Sequence, residues 1–324
     1  MTPPYAPKRP AKALLLAVMA IFSISLWTGC GVVTDFARDN QLHFGSIGLK
    51  DFVSPAKLRV GILPFRDEVG LGTPEAGPNL AVLMTDRFAE NSNLVMIPPA
   101  EVARAFASTG FDPMEELTSE QAVELGRILE ANVIMEGAIS QIDQVQLRKG
   151  WRRIARFFTK QRTYLDAVLS LRAFDTENGL VITSRAGEGT YTVGKYESDP
   201  FATDRAIPPP SQEAIETGLD LAIDDAYYRS LDGLSYTPFK ARVIDRTGDT
   251  VRIDFGRDVG IKKGLKFAAL TTQEIVTSRI DYQYAIPGPA KCRLVVSEVG
   301  DRTATLQIKD GDVFEGEFIQ SWDD

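Results

Sequence analysis

Few residues in this 324-residue chain are of a type that does chemistry, and their spacing argues against most of it. There is one histidine, His43, and there are two cysteines, Cys30 and Cys292. Zinc and iron sites draw on clustered His and Cys ligands, so such a metal has no donor set here, and two cysteines make no disulfide framework. Acids come in pairs at Asp224-Asp225, Asp310-Gly311-Asp312 and Asp323-Asp324. Glycoside hydrolysis needs two carboxylates held across a cleft, whereas adjacent residues on a helix point apart. None of the pairs extends into the D-x-D-x-D-G loop of a calcium site. Gly70-x-Gly72 opens a glycine-rich loop, but Glu75 stands where a dinucleotide fingerprint has its third glycine. No Gly-Lys-Ser/Thr follows, and Asp67, Glu68 and Glu75 would repel phosphate. Cys292 lies in an apolar-alternating run and reads as a buried strand cysteine. The sequence therefore offers no catalytic residue, no cofactor site and no metal site, and reads as a non-enzyme. An envelope hydrolase ranks last, because it would need converging acids.

One stretch stands out. Arg148 to Arg162, RKGWRRIARFFTKQR, holds seven basic residues and no acidic one, in a chain where 44 Asp+Glu outweigh 36 Lys+Arg. On a helix, Trp151, Ile154, Ala155 and Phe158 share one face, and Arg152, Arg153, Arg156 and Lys160 take the others. Such a segment reads as a surface for a membrane or an acidic partner, carried by Trp151, Arg152, Arg153, Arg156, Phe158 and Lys160. The alternative is a loop or hairpin tip whose aromatics pack on the body. The formal net charge of −8 and pI near 5.0 exclude general nucleic-acid binding, since phosphate backbones repel an acidic chain.

The amino-terminal residues point to a membrane. Lys8, Arg9 and Lys12 precede an apolar run from Ala13 to Trp27, which ends at Thr28-Gly29-Cys30-Gly31. The run has fifteen residues, short of the ~20 that a spanning helix needs, and with its basic start it reads as an export signal. The small residues before Cys30 resemble the lipobox of bacterial lipoproteins, with Trp27 in place of the usual leucine. The resemblance implies a diacylglycerol on Cys30, which becomes the new amino terminus. Several acyl chains hold a protein to a bilayer stably, where one does not. By resemblance to Gram-negative lipoproteins, the absence of aspartate at Gly31 implies sorting to the outer membrane, facing the periplasm. The alternative is an uncleaved anchor continuing through Val33.

These residues need elements to position them. Leu58 to Phe65 alternates as a strand, and Pro78 to Asn91 has helical spacing. Leu94–Ile97 is a short strand, 100–107 a short helix, and Thr118-Ser119-Glu120-Gln121 caps another helix. Strands follow at 131–139, 165–174 and 180–191, the last two joined by an Asn178-Gly179 turn. A helix covers 211–231. From residue 236 the helical pattern stops, and short alternating strands around Gly248-Asp249 and Gly300-Asp301 imply a small β-barrel. The expected fold class is an α/β layer domain, a mixed sheet with helices, followed by a small all-β barrel of SH3-like type. The expected division is a signal at 1–29, a tether at 30–56, the α/β domain at 57–235 and the barrel at 236–324.

Leu63-Pro64-Phe65, then Gly126, Leu129, Ala131, Ile134 and Gly137, follow a pattern that resembles a periplasmic family. It includes the amino-terminal domain of the Tol translocation protein B, the curli-secretion lipoprotein, the penicillin-binding-protein activator lipoproteins and the middle domain of flagellar assembly protein T. Val251–Gly256 and Gly260–Phe267 resemble that flagellar protein's carboxy-terminal domain. The resemblance implies a binding or assembly module of an envelope protein complex, held to the membrane by its lipid anchor and free to form homo-oligomers. A flagellar basal-body role, activation of a peptidoglycan synthase and a curli-like secretion component are the alternatives it leaves.

Overall fold

The computed structural model describes residues 54–148, 160–197, 209–277 and 283–322. The first half is a layered α/β structure. Strand β1 (Leu58–Ile62) is followed by a two-residue strand β2 (Arg66–Asp67), helix α1 (Ala76–Ala89), β3 (Leu94–Met96), α2 (Pro99–Thr109) and α3 (Ser119–Leu129). Three long strands come next, β4 (Val133–Arg148), β5 (Lys160–Asp175) and β6 (Val181–Glu197), then helix α4 (Gln212–Ser235). The sheet order is β3-β1-β4-β5-β6, with β2 also on β4. β1 is parallel to both neighbours, while β4, β5 and β6 form an antiparallel meander.

Side-chain alternation divides the sheet into two faces. Val60, Ile62, Met135, Leu165, Leu169 and Leu171 pack with Met84 and Phe88 of α1 and Ala222 and Ile223 of α4. Ile134 and Phe174 face the other way, onto Val102 of α2 and Leu125 of α3. The expected caps form where the side chains demand them. Thr118 accepts from the Gln121 N–H, and the Gln121 side chain accepts from the Thr118 N–H, a reciprocal capping box. Pro78 is the third residue of α1, where the missing N–H has no intrahelical partner in any case.

The strands β4 and β5 correct one expectation. The ladder does not stop at Ile139. It runs on through Leu147↔Arg162 to Arg148↔Gln161. Arg148 and Lys160 to Arg162 are therefore strand residues, and the basic stretch leaves and re-enters a β-hairpin instead of standing as a helix from end to end. The helical spacing read at Trp151 to Phe158 falls outside the described residues.

The second half is a closed barrel of six strands in the order β10-β11-β8-β7-β12-β9. They are β7 (Lys240–Thr247), β8 (Thr250–Ile253), β9 (Lys266–Thr277), β10 (Gln283–Val299), β11 (Ala304–Gly311) and β12 (Phe318–Ser321). Every pair is antiparallel. Closure leaves the short strands no open edge. Phe239, Phe255 and Phe267 fill the interior in edge-to-face contact. Cys292 is wholly buried on β10, and burial pushes its thiol pKa up, as an inert cysteine requires. The barrel interior and the α1/α4 face of the sheet belong to one continuous hydrophobic core.

Candidate functional site

Two cavities of similar size mark the places where this fold could act. The first lies beyond the carboxyl end of β1. From there the chain turns to β3 on one side of β1, and later returns to β4 on the other. In open α/β sheets such a reversal leaves a crevice outside the strand ends. Here it is a groove of about 590 Å³ between the segment 63–78, which includes β2 and the start of α1, and the loop joining α2 to α3.

Glu136 forms the floor of this groove. It sits in an otherwise apolar stretch of β4 and is only 5% exposed. The β4–β5 register places it directly opposite Arg172. Arg172 Nε donates to Glu136 Oε1 at 2.6 Å, and its Nη2 reaches the same oxygen. Arg66 Nη1 donates to Oε2 at 2.7 Å, as does the Leu117 N–H at 2.9 Å. Burial alone would pull the Arg66 guanidinium down, but its hydrogen bond to Glu68 and the charges of Glu136, Glu68 and Glu116 outweigh it and hold the pKa up. Both Glu136 oxygens are thus occupied by fixed donors. The carboxylate serves as a clamp joining β2, β4, β5 and the loop before α3.

The rim differs from the floor. Asp67, Asp112 and Glu115 line it, with Glu68 and Glu116 bound to Arg66 and Arg172 beside them. Phe106 and Phe111 meet edge to face at 6.2 Å, and Met114 is 64% exposed. The groove joins an apolar lining to a negative border.

The second place is the seam between sheet and barrel. Lys240, at the start of β7, donates to Asp175 Oδ2 at 2.6 Å and also binds Glu177. Burial disfavours its ammonium, yet those two carboxylates prevail and its pKa is raised. Asn132 Nδ2 donates to the Lys240 carbonyl at 2.6 Å, while its Oδ1 accepts from the Arg59 N–H at 3.0 Å. The Lys57 N–H donates to the Val259 carbonyl at 2.8 Å. A cleft of about 570 Å³ lies on one side of Lys240, lined by Leu180, Ile182, Tyr236, Leu270 and Phe318. A smaller one of about 230 Å³ includes Asp254. Burial pushes the Asp254 carboxyl up to about 6, against the N–H of Arg242 that it accepts at 2.9 Å.

The residues that carry the family resemblance serve packing. A Cβ on Gly137 would lie 2.3 Å from the Phe65 ring, and one on Gly126 would lie 2.2 Å from Thr176. Thr176 in turn donates its hydroxyl to the Ala131 carbonyl at 2.5 Å. The pattern thus records how α3, β4 and the first loop close on one another.

Of the residues singled out from the sequence, Cys30, Trp151, Arg152, Arg153, Arg156 and Phe158 lie outside the described residues, as does His43. Lys160 is the first residue of β5, opposite Glu197 in the ladder. Asp323 and Asp324 also lie outside the described residues, and the other two acid pairs separate. Asp224 binds Arg87 and Asp225 binds Arg229, while Asp310 and Asp312 pair with Arg293 and Arg246. Glu136, Arg66, Arg172 and Lys240 were not foreseen. The signal for the first was available: a lone acid inside VIMEGAI, and a lone base inside LSLRAF, are charges in strands too apolar to face water.

No protein-family model matches the chain, and no curated protein matches it. Among solved structures, the hypothetical protein CT253 from Chlamydia trachomatis is 14% identical, with a TM-score of 0.33 over 56% of this chain and 98% of its own. Lipoprotein GNA1162 from Neisseria meningitidis is 12% identical, TM-score 0.29, over 42% of this chain and 83% of its own. LpoB from E. coli is 14% identical, TM-score 0.31, over 44% and 60%. The likeness to these folds is distant, and at such scores it defines no role.

Proposed function

We propose that this chain is a lipid-anchored envelope protein that works in the periplasm, at the outer membrane, as a non-enzymatic binding or assembly module. The observation that carries the reading is the basic start, fifteen-residue apolar run and small-residue boundary immediately before Cys30. Acyl chains on that thiol would fix the folded body beside a bilayer. The groove supports the binding half of the reading. Its one buried acid is saturated by Arg66, Arg172 and Leu117 N–H, while its border presents free apolar surface and negative charge. Such a surface recognises a partner more readily than it transforms a substrate.

Expression of the full chain in a Gram-negative host and intact-mass measurement of the membrane fraction tests the anchor. The expected product begins at Cys30 and carries acyl groups, and Cys30→Ser abolishes them. An unmodified thiol, or a cytosolic product, overturns the reading. Purification from membranes in mild detergent then sorts the finer roles. Hook–basal-body proteins would assign a flagellar part, which the stretches 251–256 and 260–267 favour. A penicillin-binding protein would assign activation of a peptidoglycan synthase.

A further inference from the structure

We infer that the basic, aromatic tip between β4 and β5 of one copy docks in the acid-bordered groove of a second copy. The inference rests on the binding role proposed for the groove and names its occupant. Charge complementarity identifies it. From Ala105 through Gly126, which includes the whole α2–α3 side of the groove, there is no Lys or Arg, while Asp112, Glu115, Glu116, Glu120 and Glu124 are all present. The two guanidiniums at the floor are already matched by Glu136, Glu68 and Glu116, so the groove offers an incoming cation no repulsion that is not answered. Between Arg148 and Arg162 the chain carries the opposite set, with Trp151, Phe157 and Phe158 among the bases. Aromatic side chains bury large area for little lost freedom, and Phe106, Phe111 and Met114 supply a surface to receive them.

The same chain cannot satisfy its own groove. Asp67 of the groove lining pairs with Ile139, and Ile139 and Arg148 are nine residues apart on one strand, roughly 30 Å at about 3.3 Å per residue. The eleven residues from Lys149 to Thr159 leave from Arg148 and return to Lys160 on the neighbouring strand. Folded back on themselves they reach less than about 20 Å. The tip therefore meets a groove only in another molecule. Tip and groove are different surfaces, so the contact is head-to-tail, and successive copies close a ring or extend a filament.

Cross-linking of full-length chains tests this. One copy carries Met114→Cys and the other Phe158→Cys, and the mixture is treated with a short bis-maleimide. The expected product is a covalent pair formed only when both variants are present. Wild-type chain treated in parallel reports background from Cys30 and Cys292, so a failure of acylation shows as Cys30 labelling and is separable from a failure of docking. Glu115→Arg on the groove copy, or Arg152→Glu with Arg153→Glu on the tip copy, should each cut the yield about tenfold, and the two together should restore it. A mixed yield no higher than that of either variant alone overturns the inference, as does a yield indifferent to charge reversal. It is equally overturned if the tip reversal leaves the yield intact but releases the protein from phosphatidylglycerol vesicles, which would assign the tip to a lipid surface.

Discussion

The groove and the seam hold cavities of nearly equal volume and buried ion pairs of similar composition, yet they do opposite things with them. At the seam the buried ions and amides are paired between sheet and barrel. Lys240 is claimed by Asp175 and Glu177, and Asn132 ties the barrel to β1. The two halves also share one apolar core. At the groove the ions are satisfied below, while apolar rings, an exposed methionine and carboxylates are left above. Cavity size therefore says little about role. What separates the two is whether the border is spoken for from within.

The comparison can be broken at its strongest point first. Glu136→Ala strips the one buried counter-charge from Arg66, which is 8% exposed and keeps only the exposed Glu68 and Glu116, takes from Arg172 its buried partner, and leaves the Leu117 N–H without its acceptor. Removing one partner of a buried pair costs about 3–5 kcal/mol, and denaturant unfolding should show a loss of that order. Lys240→Met also leaves a buried carboxylate, Asp175, without its cation, but Glu177 is one-third exposed and turns to solvent, so the loss should sit at the low end of that range, about 3 kcal/mol. Since the core is continuous, this variant should lower the unfolding midpoint without splitting the transition in two. A split would show that the seam, and not the shared core, couples sheet to barrel.

The smallest effect concerns acidity. The Asp254 carboxyl is raised from 3.8 to about 6. Between those values the folded chain keeps a proton that the unfolded chain has released. The folded state therefore binds more protons, and stability falls as pH rises through that window. Asp254→Asn keeps an oxygen for the Arg242 N–H and should remove this slope, read from unfolding midpoints across pH 4 to 6. An unchanged slope would move the sensitivity away from the seam.

The architecture was largely legible in the sequence because its signals are local. The Thr118–Gln121 box and the hairpins at Gly248 and Gly300 each bring their own geometry, and Gly179 takes a left-handed φ of 71°, although the connection it belongs to runs over 176–180 and is longer than a two-residue turn. Strand length was not legible. Ser140 to Arg148 lacks a clear apolar rhythm, and it is the pairing with β5 that makes it a strand. The sites were hidden for the same reason. Glu136 and Arg172 meet only through register, and Lys240 reaches Asp175 across 65 residues of chain.

The hydrogen bond from Lys57 to Val259 has a mechanical meaning. Lys57 immediately precedes β1, whose pairing with β3 and β4 lies along the strand axis. A pull arriving through the upstream chain would meet those bonds in shear, all at once, with the barrel latched to the first of them. Tension would be shared between both halves before either could peel away.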